Sequence, residues 1–192
     1  PDRGDKRRKT ILWALHNCMI EKGYAPTTLG DIAAAADMYP SHLLYYFDGK
    51  EAILHQYFQN VAQQILKRLD DLSDREPREQ IDKLSKLFFA GSGITKSVIG
   101  LMLECFGLAV NDKILQQEKS DLDAMCKEHL TRLLEKTPNR FLNNARDAAE
   151  VAYATLIGLR TAVYFDQSFE LEEAHRMFHT TMLKMAGLPF EA

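Results

Sequence analysis

Apolar residues recur with the spacing of an α-helix along nearly the whole chain, and no segment shows the strict two-residue alternation of a half-buried strand. Only 10 glycines and 6 prolines interrupt this pattern, so they divide the 192 residues into a small number of segments. The pattern predicts an all-α fold of about nine helices. We expect them at residues 6–22, 28–36, 40–46, 50–72, 77–90, 95–110, 112–136, 144–165 and 171–185.

The composition narrows the class of protein further. A hydrophobic fraction of 46% and a charged fraction of 27% are ordinary for a globular domain, which disfavours disorder and fibrous repeats. A net charge of −3 excludes a uniformly basic coat for nucleic acid, although it leaves room for a local basic patch. The three cysteines are widely spaced and form neither a disulfide framework nor a zinc ribbon. We therefore expect the protein to reside in a reducing compartment.

Neither the first residues nor the longest apolar stretch indicates a membrane protein. Residues 1–9 are polar and charged, without the apolar core of a signal peptide. The apolar stretch 98–110 is interrupted by Glu104 and is too short to span a bilayer. We expect a cytoplasmic protein without a membrane partner.

Residues 28–47, which read TLGDIAAAADMYPSHLLYYF, predict two short helices joined by a tight turn. Thr28 can cap the first helix together with Asp31, and Pro40 suits the first turn of the second. Asp37 occupies the turn, where it tolerates a left-handed backbone better than most residues. The expected interior of this helix-turn-helix consists of Ile32, Ala33, Ala36, Leu43 and Phe47.

A set of residues in order around this segment resembles the N-terminal DNA-binding domain of the TetR family of transcriptional regulators. The set comprises Ile11-Leu12, Glu21-Lys22-Gly23-Tyr24, Thr28-Leu29-x-Asp31-Ile32-Ala33, Ala36, Phe47 and Lys50-Glu51. The resemblance covers residues 9–54, about a quarter of the chain, and the remaining helices match only in number and length. It implies a helix-turn-helix DNA-binding domain at 1–52 and a helical ligand-binding and dimerisation domain at 53–192.

The resemblance also implies which residues contact double-stranded DNA. The helix 40–46 would enter the major groove, where base edges can be distinguished. Thr28 and Lys50 would bind phosphates, and a basic arm would reach a flanking phosphate or the minor groove.

Tyr39 and Leu44 depart from the family pattern, so a cap hydroxyl and a phosphate-binding hydroxyl are missing. Either Tyr45 or Tyr46 can supply the phosphate-binding hydroxyl. Two alternatives to DNA contact stay open: His42 could be a solvated surface residue, and Tyr46 could pack inside the protein. The candidates are Pro40, Ser41, His42, Tyr45 and Tyr46 on the helix, with Lys6, Arg7, Arg8 and Lys9 in the arm.

In the family, the C-terminal bundle encloses a ligand pocket, and apolar residues with a few polar ones suit such a pocket here. The candidates are Phe88, Phe89, Met102, Glu104, Phe106, Met125, Cys126, His129, Tyr153 and Leu156, each of which could instead be ordinary core. Glu104 is the single charge of its helix, and it must be exposed, paired or turned towards a polar cavity.

The family also pairs its subunits through the last two long helices. Small residues in helix 144–165 would allow close approach of a second copy about a two-fold axis. The predicted dimer contacts are Ala152, Leu159, Arg160 and Val163, with Phe178 and Met182 from the last helix. A two-fold dimer predicts a palindromic operator whose half-sites lie about 34–36 Å apart.

Catalytic and metal-binding signatures are weak in comparison. His175 and His179 share one face of a helix with Glu172, which leaves a metal site as a minor alternative. No nucleophile elbow, phosphate-binding glycine loop or paired-carboxylate pattern stands out. We predict that the chain is not an enzyme and uses no cofactor. A small helical metalloenzyme and a ligand-binding protein without DNA affinity remain the rival classes.

The sequence thus predicts a homodimeric repressor that a small apolar effector releases from its operator. The effector would favour a dimer whose recognition helices are wrongly spaced, with helix 50–72 as the connecting element. Activation stays open, since DNA binding alone does not determine the sign of regulation.

Overall fold

The computed structural model describes residues 3–91, 93–139 and 141–189. In that part of the chain the structure is all-α, and the nine predicted helices are confirmed. Their observed bounds are α1 Arg3–Lys22, α2 Leu29–Ala35, α3 Pro40–Tyr46, α4 Lys50–Asp70, α5 Pro77–Phe89, α6 Lys96–Ala109, α7 Lys113–Glu135, α8 Ala145–Phe165 and α9 Leu171–Ala186.

Local side-chain chemistry explains several of these helix ends. The Thr28 hydroxyl accepts a hydrogen bond from Asp31 N, and Asp31 accepts one from Thr28 N, which completes a capping box at the start of α2. Asn144 caps α8 by accepting from Asp147 N. Pro40 and Pro77 open α3 and α5, where a missing N–H costs nothing. Gly187 ends α9 in the left-handed conformation, with a φ of 67°.

The chain divides into two compact units, which we describe separately. The first contains residues 1–63 and 100–119, and the predicted domain 1–52 lies entirely inside it. Its core is formed by apolar residues of α1, α2, α3, the first half of α4, α6 and the start of α7, among them Ile11, Leu15, Ile32, Leu43, Ile53, Leu54, Leu101 and Leu115.

The second unit contains residues 64–99 and 120–192. In its described part, α9 packs against both α5 and α8. The rings of Phe89 and Phe178 lie 5.4 Å apart at this contact. The side chains buried here include Ile81, Leu84, Ala148, Ala152, Val163, Phe178 and Met182.

Across residues 3–91, 93–139 and 141–189, none of the helices combines the length and hydropathy that a membrane span requires. Cys18, Cys105 and Cys126 are buried and are not joined by disulfides. Burial raises the pKa of the Cys105 thiol to about 12, so this thiol is uncharged at neutral pH.

Candidate nucleic-acid interface and ligand cavity

Helix α3 presents one buried and one exposed face. Leu43 is fully buried and Phe47, which ends the helix, is 6% exposed. The opposite face carries side chains that are accessible to a partner: Tyr39, Pro40, Ser41, His42, Leu44 and Tyr45. Tyr45 is 83% exposed, whereas Tyr46 is half-buried and packs against the core of the first unit. Four of the five predicted contact residues of α3 therefore lie on an open surface, and the packing alternative for Tyr46 matches its position.

The turn between α2 and α3 has the conformation that the sequence predicts. Asp37 adopts a φ of 52°, in the left-handed region. Ile32 and Ala33 of α2 pack in one cluster with Ala36, Leu43 and Phe47, and the predicted interior of the helix-turn-helix is confirmed. Tyr39 precedes α3 without a side-chain cap bond, in agreement with the missing hydroxyl.

The basic segment at residues 6–9 is helical, as the predicted helix 6–22 requires, so it is not an extended arm, and its contact with DNA stays a prediction. Helix α1 begins at Arg3, and Asp5 in its first turn is favourable at the positive end of the helix dipole. The four basic side chains are nevertheless exposed. The Arg8 guanidinium lies 5.0 Å from the centre of the Phe47 ring, which brings the basic turns of α1 next to the end of α3.

Thr28 is exposed, but its donors are already used within the protein. Both its N–H and its hydroxyl donate to Asp31 Oδ2 at 2.7 Å. Lys22 Nζ lies 2.8 Å from the same oxygen. The hydrogen bonds from Lys22 and Thr28 hold the pKa of Asp31 well below its usual range. These two donors of Thr28 serve the predicted cap, and its contact with a DNA phosphate stays a prediction.

Lys50, predicted to contact a phosphate, is engaged by backbone carbonyls of its own unit. Its Nζ donates to the backbone carbonyls of Tyr24 at 3.0 Å and Thr27 at 2.9 Å. It also lies 4.1 Å from the centre of the Tyr24 ring. These contacts tie the start of α4 to the α1–α2 turn, so the prediction of Lys50 as a simple phosphate contact is corrected.

Glu104 belongs to the same region of the first unit. Its Oε1 accepts a hydrogen bond from Tyr24 N at 2.7 Å. Gly23 leaves room for it, because a Cβ on Gly23 would lie 3.2 Å from Glu104 Oε1, at a φ of 83° that disfavours other residues. The paired alternative for Glu104 is therefore the observed one.

A hollow in the second unit gathers part of the predicted pocket. Its lining is almost wholly apolar and comes from α4, α5, α7, α8 and α9: Leu69, Leu84, Phe88, Cys126, His129, Leu130, Tyr153, Leu156 and Phe178. Five of the ten predicted pocket residues are in this set, namely Phe88, Cys126, His129, Tyr153 and Leu156. The hollow has room for about one water molecule.

The other predicted pocket residues lie elsewhere. Phe89 is buried against Phe178 outside the lining, and Met125 faces solvent with 49% of its surface exposed. Met102, Glu104 and Phe106 are in the first unit. Helix α6 is apolar all round, so its sequence did not reveal which neighbours its side chains would contact.

Two buried polar side chains lie at the hollow. His129 is 3% exposed and its Nε2 has no hydrogen-bond partner. Burial, with smaller effects from Arg132 and Lys136, lowers the pKa of His129 to about 4, so the ring is neutral at pH 7. Arg160 is 6% exposed and donates from Nη1 to the Phe88 carbonyl at 2.6 Å. Arg160 was predicted at the edge of the dimer contact. The sequence alone does not show whether an arginine on this helix is exposed or buried.

Most of the predicted dimer contacts are wrong for a physical reason. Ala152, Arg160, Val163, Phe178 and Met182 are buried within their own unit and have no surface left for a partner. Leu159 is half-buried and stays a prediction. The exposed face of α8 is a different one, and it carries Val151, Ala154, Gly158 and Phe165. Met177 of α9 is exposed too.

The histidine pair offers no metal site in the part of the chain that the structure describes, where no group of three or more His, Cys, Asp or Glu side chains is arranged around a common point. His179 Nε2 lies 2.6 Å from Asp82 Oδ1 and is engaged by that carboxylate. The His175 and His179 ring centres are 6.2 Å apart.

Comparison with known proteins agrees with this arrangement. A sequence profile described as "Bacterial regulatory proteins, tetR family" matches residues 11–57. A search of curated proteins finds no match.

Solved structures share the fold over nearly the full chain. A TetR transcription regulator from Haloarcula marismortui superposes with a TM-score of 0.83 at 18% identity, covering 94% of this chain and 98% of that one. A transcriptional regulator from Rhodococcus sp. Rha1 gives 0.80 at 13% identity, covering 93% and 95%. The reduced form of E. coli NemR gives 0.77 at 16% identity, covering 96% and 100%.

Proposed function

We propose, from the match of residues 11–57 to the tetR family profile and from the fold shared with TetR regulators, that this chain is a member of the TetR family and a cytoplasmic homodimeric repressor of transcription. In this proposal it binds a palindromic operator and leaves it when a small, mainly apolar effector binds. The observation that carries the proposal is the open face of α3, which projects from a buried helix-turn-helix core.

The exposed side chains of α3 support reading of base edges. Ser41, His42 and Tyr45 offer hydrogen-bond donors and acceptors, the first two in the first turn of the helix and Tyr45 near its end. Helix-turn-helix proteins contact base edges in the major groove with this helix, mainly through residues at its N-terminal end. The chain as a whole has a net charge of −3, so its attraction to DNA phosphates must come from a local basic patch. The exposed basic side chains at the start of α1 supply this patch.

The exposed face of α8 supports pairing with a second copy. Val151, Ala154, Gly158 and Phe165 follow one another at helical spacing, and Phe165 is 71% exposed. A Cβ on Gly158 would meet nothing within 4 Å inside the subunit, so another helix has room to approach closely there. A self-complementary face of this kind suits a two-fold dimer.

The hollow in the second unit supports an effector site, and α4 supports coupling. Leu69 lines the hollow, and Lys50 binds the α1–α2 turn at the other end of the same helix. In our proposal the effector binds best to the dimer conformation that is poorly spaced for the operator. Because the coupling is reciprocal, operator DNA should weaken effector binding by the same factor.

Selection of bound sequences from a random pool of duplex DNA tests the proposal. We expect wild-type protein at moderate salt to recover a palindrome with half-sites about one helical turn apart. Tyr45→Ala should change the preferred bases. Lys9→Ala should weaken binding to all sequences equally and reduce the salt slope by about one unit. Lys67→Ala, which removes an exposed lysine from α4, serves as the matched control and should leave the slope unchanged.

Failure to enrich any sequence, from protein that is folded and dimeric in solution, would overturn the proposal in favour of a ligand-binding protein without DNA affinity. A single asymmetric half-site would retain DNA binding but contradict the two-fold dimer.

A further inference from the structure

Arg160 is a buried cation with few internal partners. Its side chain has five N–H donors, and the structure gives it one hydrogen bond, to the Phe88 carbonyl. Its Nε is buried without a partner. Among residues 3–91, 93–139 and 141–189, no carboxylate forms an ion pair with it. Burial lowers the pKa of Arg160 to about 10, so it still carries its charge at neutral pH.

This cation lies beside the hollow. Arg160 continues, by one helical turn, the face of α8 on which Tyr153 and Leu156 line the hollow. Its Cζ is 5.9 Å from the centre of the Phe88 ring, and Phe88 is also part of the lining. A ligand group that displaced the Phe88 ring would therefore reach the guanidinium.

A further buried polar atom without a hydrogen-bond partner, on His129, supplies a second, neutral point of attachment. His129 Nε2 is buried in the same lining on α7. The Tyr153 hydroxyl is not available in the same way, because it donates to Asp123 Oδ1 at 2.5 Å. The remaining lining is apolar, from Leu84, Leu130, Leu156 and Phe178.

We propose that the effector is an organic carboxylate with an apolar body, whose carboxylate pairs with Arg160 and whose body occupies the hollow beside His129. The inference rests on the proposed effector site. A buried guanidinium without a counter-ion is costly, and a carboxylate matches its planar fork with two parallel hydrogen bonds. A cationic ligand would be repelled by Arg160, and a neutral one would leave its charge unpaired.

The size of the hollow requires side chains to move when such a ligand enters. Space for about one water molecule cannot hold an apolar body of several carbons. Phe88 and Phe178 are the two phenylalanines of the lining, and in this proposal rotation of their rings opens the hollow. The binding energy of the carboxylate would offset the cost of this opening.

Isothermal titration calorimetry without DNA tests the inference directly. The probes are octanoate and 2-naphthoate, each compared with its neutral amide and with the corresponding primary ammonium compound. We expect at least one carboxylate to bind at least about 10-fold more tightly than its amide, since hydrogen bonds to charged groups are worth about this much. The ammonium compounds should bind more weakly still. Equal binding of carboxylate and amide in both series, or no binding by either carboxylate, would overturn the inference.

Variants identify the residue responsible. Arg160→Met should remove the preference for the carboxylate, and it is expected to fold because an apolar side chain replaces an unpaired buried charge. Arg160→Lys keeps the charge without the planar fork and should retain a reduced preference. Arg146→Met removes an exposed arginine from the same helix and should change nothing. A carboxylate preference that survives in folded Arg160→Met would contradict the assignment.

The two proposals can fail separately. A selected palindrome without a carboxylate preference leaves the repressor in place and removes this effector class. A carboxylate preference that depends on Arg160, in a protein that enriches no DNA, removes the repressor and leaves a carboxylate-binding protein.

Discussion

Lys50 and Arg160 show that a cationic side chain takes its role from its surroundings. Each was predicted to face a partner molecule, DNA for Lys50 and a second subunit for Arg160. Both instead donate to backbone carbonyls inside their own unit, Lys50 to Tyr24 and Thr27 and Arg160 to Phe88. A lysine or arginine in a sequence indicates donors and charge, but it does not say which acceptor lies within reach. Their partners could therefore be found only in the structure.

Lys50→Ala should destabilise the fold. The fraction of the variant that is folded should bind DNA nearly as tightly as the wild type. The variant loses two hydrogen bonds that hold the α1–α2 turn, and we expect the free energy of unfolding in urea to fall by about 1–2 kcal/mol. Lys67→Ala, at an exposed position of the same helix, should change it by less than about 0.5 kcal/mol. Unchanged stability together with a reduced salt slope for DNA would restore the phosphate contact.

His129 should make the stability of the protein depend on pH. Its pKa falls from the ordinary 6.5 to about 4 in the folded state, mainly through burial. Below pH 6.5 the unfolded chain therefore binds a proton that the folded chain does not, and stability is lost as the pH falls towards 4. We expect a loss of roughly 2 kcal/mol between pH 7 and pH 5 from this residue.

Urea unfolding at the two pH values measures that loss, and His129→Leu should remove it. In this variant the stability should still depend on pH, to a smaller extent and with the same sign. The reason is that burial also lowers the pKa values of His16 and His175. His42→Asn, at an exposed position, is the control. The same pH dependence in wild type and His129→Leu would show that His129 is not buried as a neutral ring.

At the scale of elements, the helices were predictable because their ends carry local signals. Thr28 and Asn144 cap helices, Pro40 and Pro77 open them, and Gly187 closes one, and each acts through its own backbone or near neighbours. The buried face of α8 was not predictable in the same way. Ala148, Ala152 and Leu156 face inwards, whereas Val151, Ala154 and Gly158 face outwards, and both series are apolar or small at helical spacing. Which face meets the core depends on α5 and α9.

The turn between α2 and α3 should prefer glycine or aspartate at position 37. Asp37 has a φ of 52°, so Asp37→Ala should lower the free energy of unfolding by about 1 kcal/mol, whereas Asp37→Gly should not lower it. Urea unfolding measures both, with Asp48→Ala as the control at an exposed position. Equal stability of Asp37→Ala and wild type would mean that the left-handed conformation costs nothing here.

At the scale of the whole molecule, the proposed two-fold dimer depends on a face that the subunit leaves uncovered. Gly158→Glu tests it. Glutamate is a better helix former than glycine, and its Cβ meets nothing within the subunit, so the fold should be kept or stabilised. Two like charges brought together at the axis should raise the dimer dissociation constant by roughly 100-fold or more in sedimentation experiments.

Gln116→Glu adds the same charge at an exposed position of α7 and should leave the dimer intact. A Gly158→Glu protein that sediments like wild type would place the dimer contact elsewhere. Loss of pairing should also weaken binding to a palindrome far more than binding to one half-site, since the two recognition helices are then no longer linked.

If an effector binds in the small hollow lined by Phe88, His129, Tyr153 and Phe178, the hollow would also limit how fast it binds. An effector cannot enter the closed form, so it has to wait for a rarely populated open form. Raising the effector concentration would then speed association only until ring rotation becomes limiting, after which the rate reaches a plateau. Such a repressor would have an upper limit to its rate of response, set by the opening of the hollow. An effector present for less time than the opening takes would leave the operator occupied.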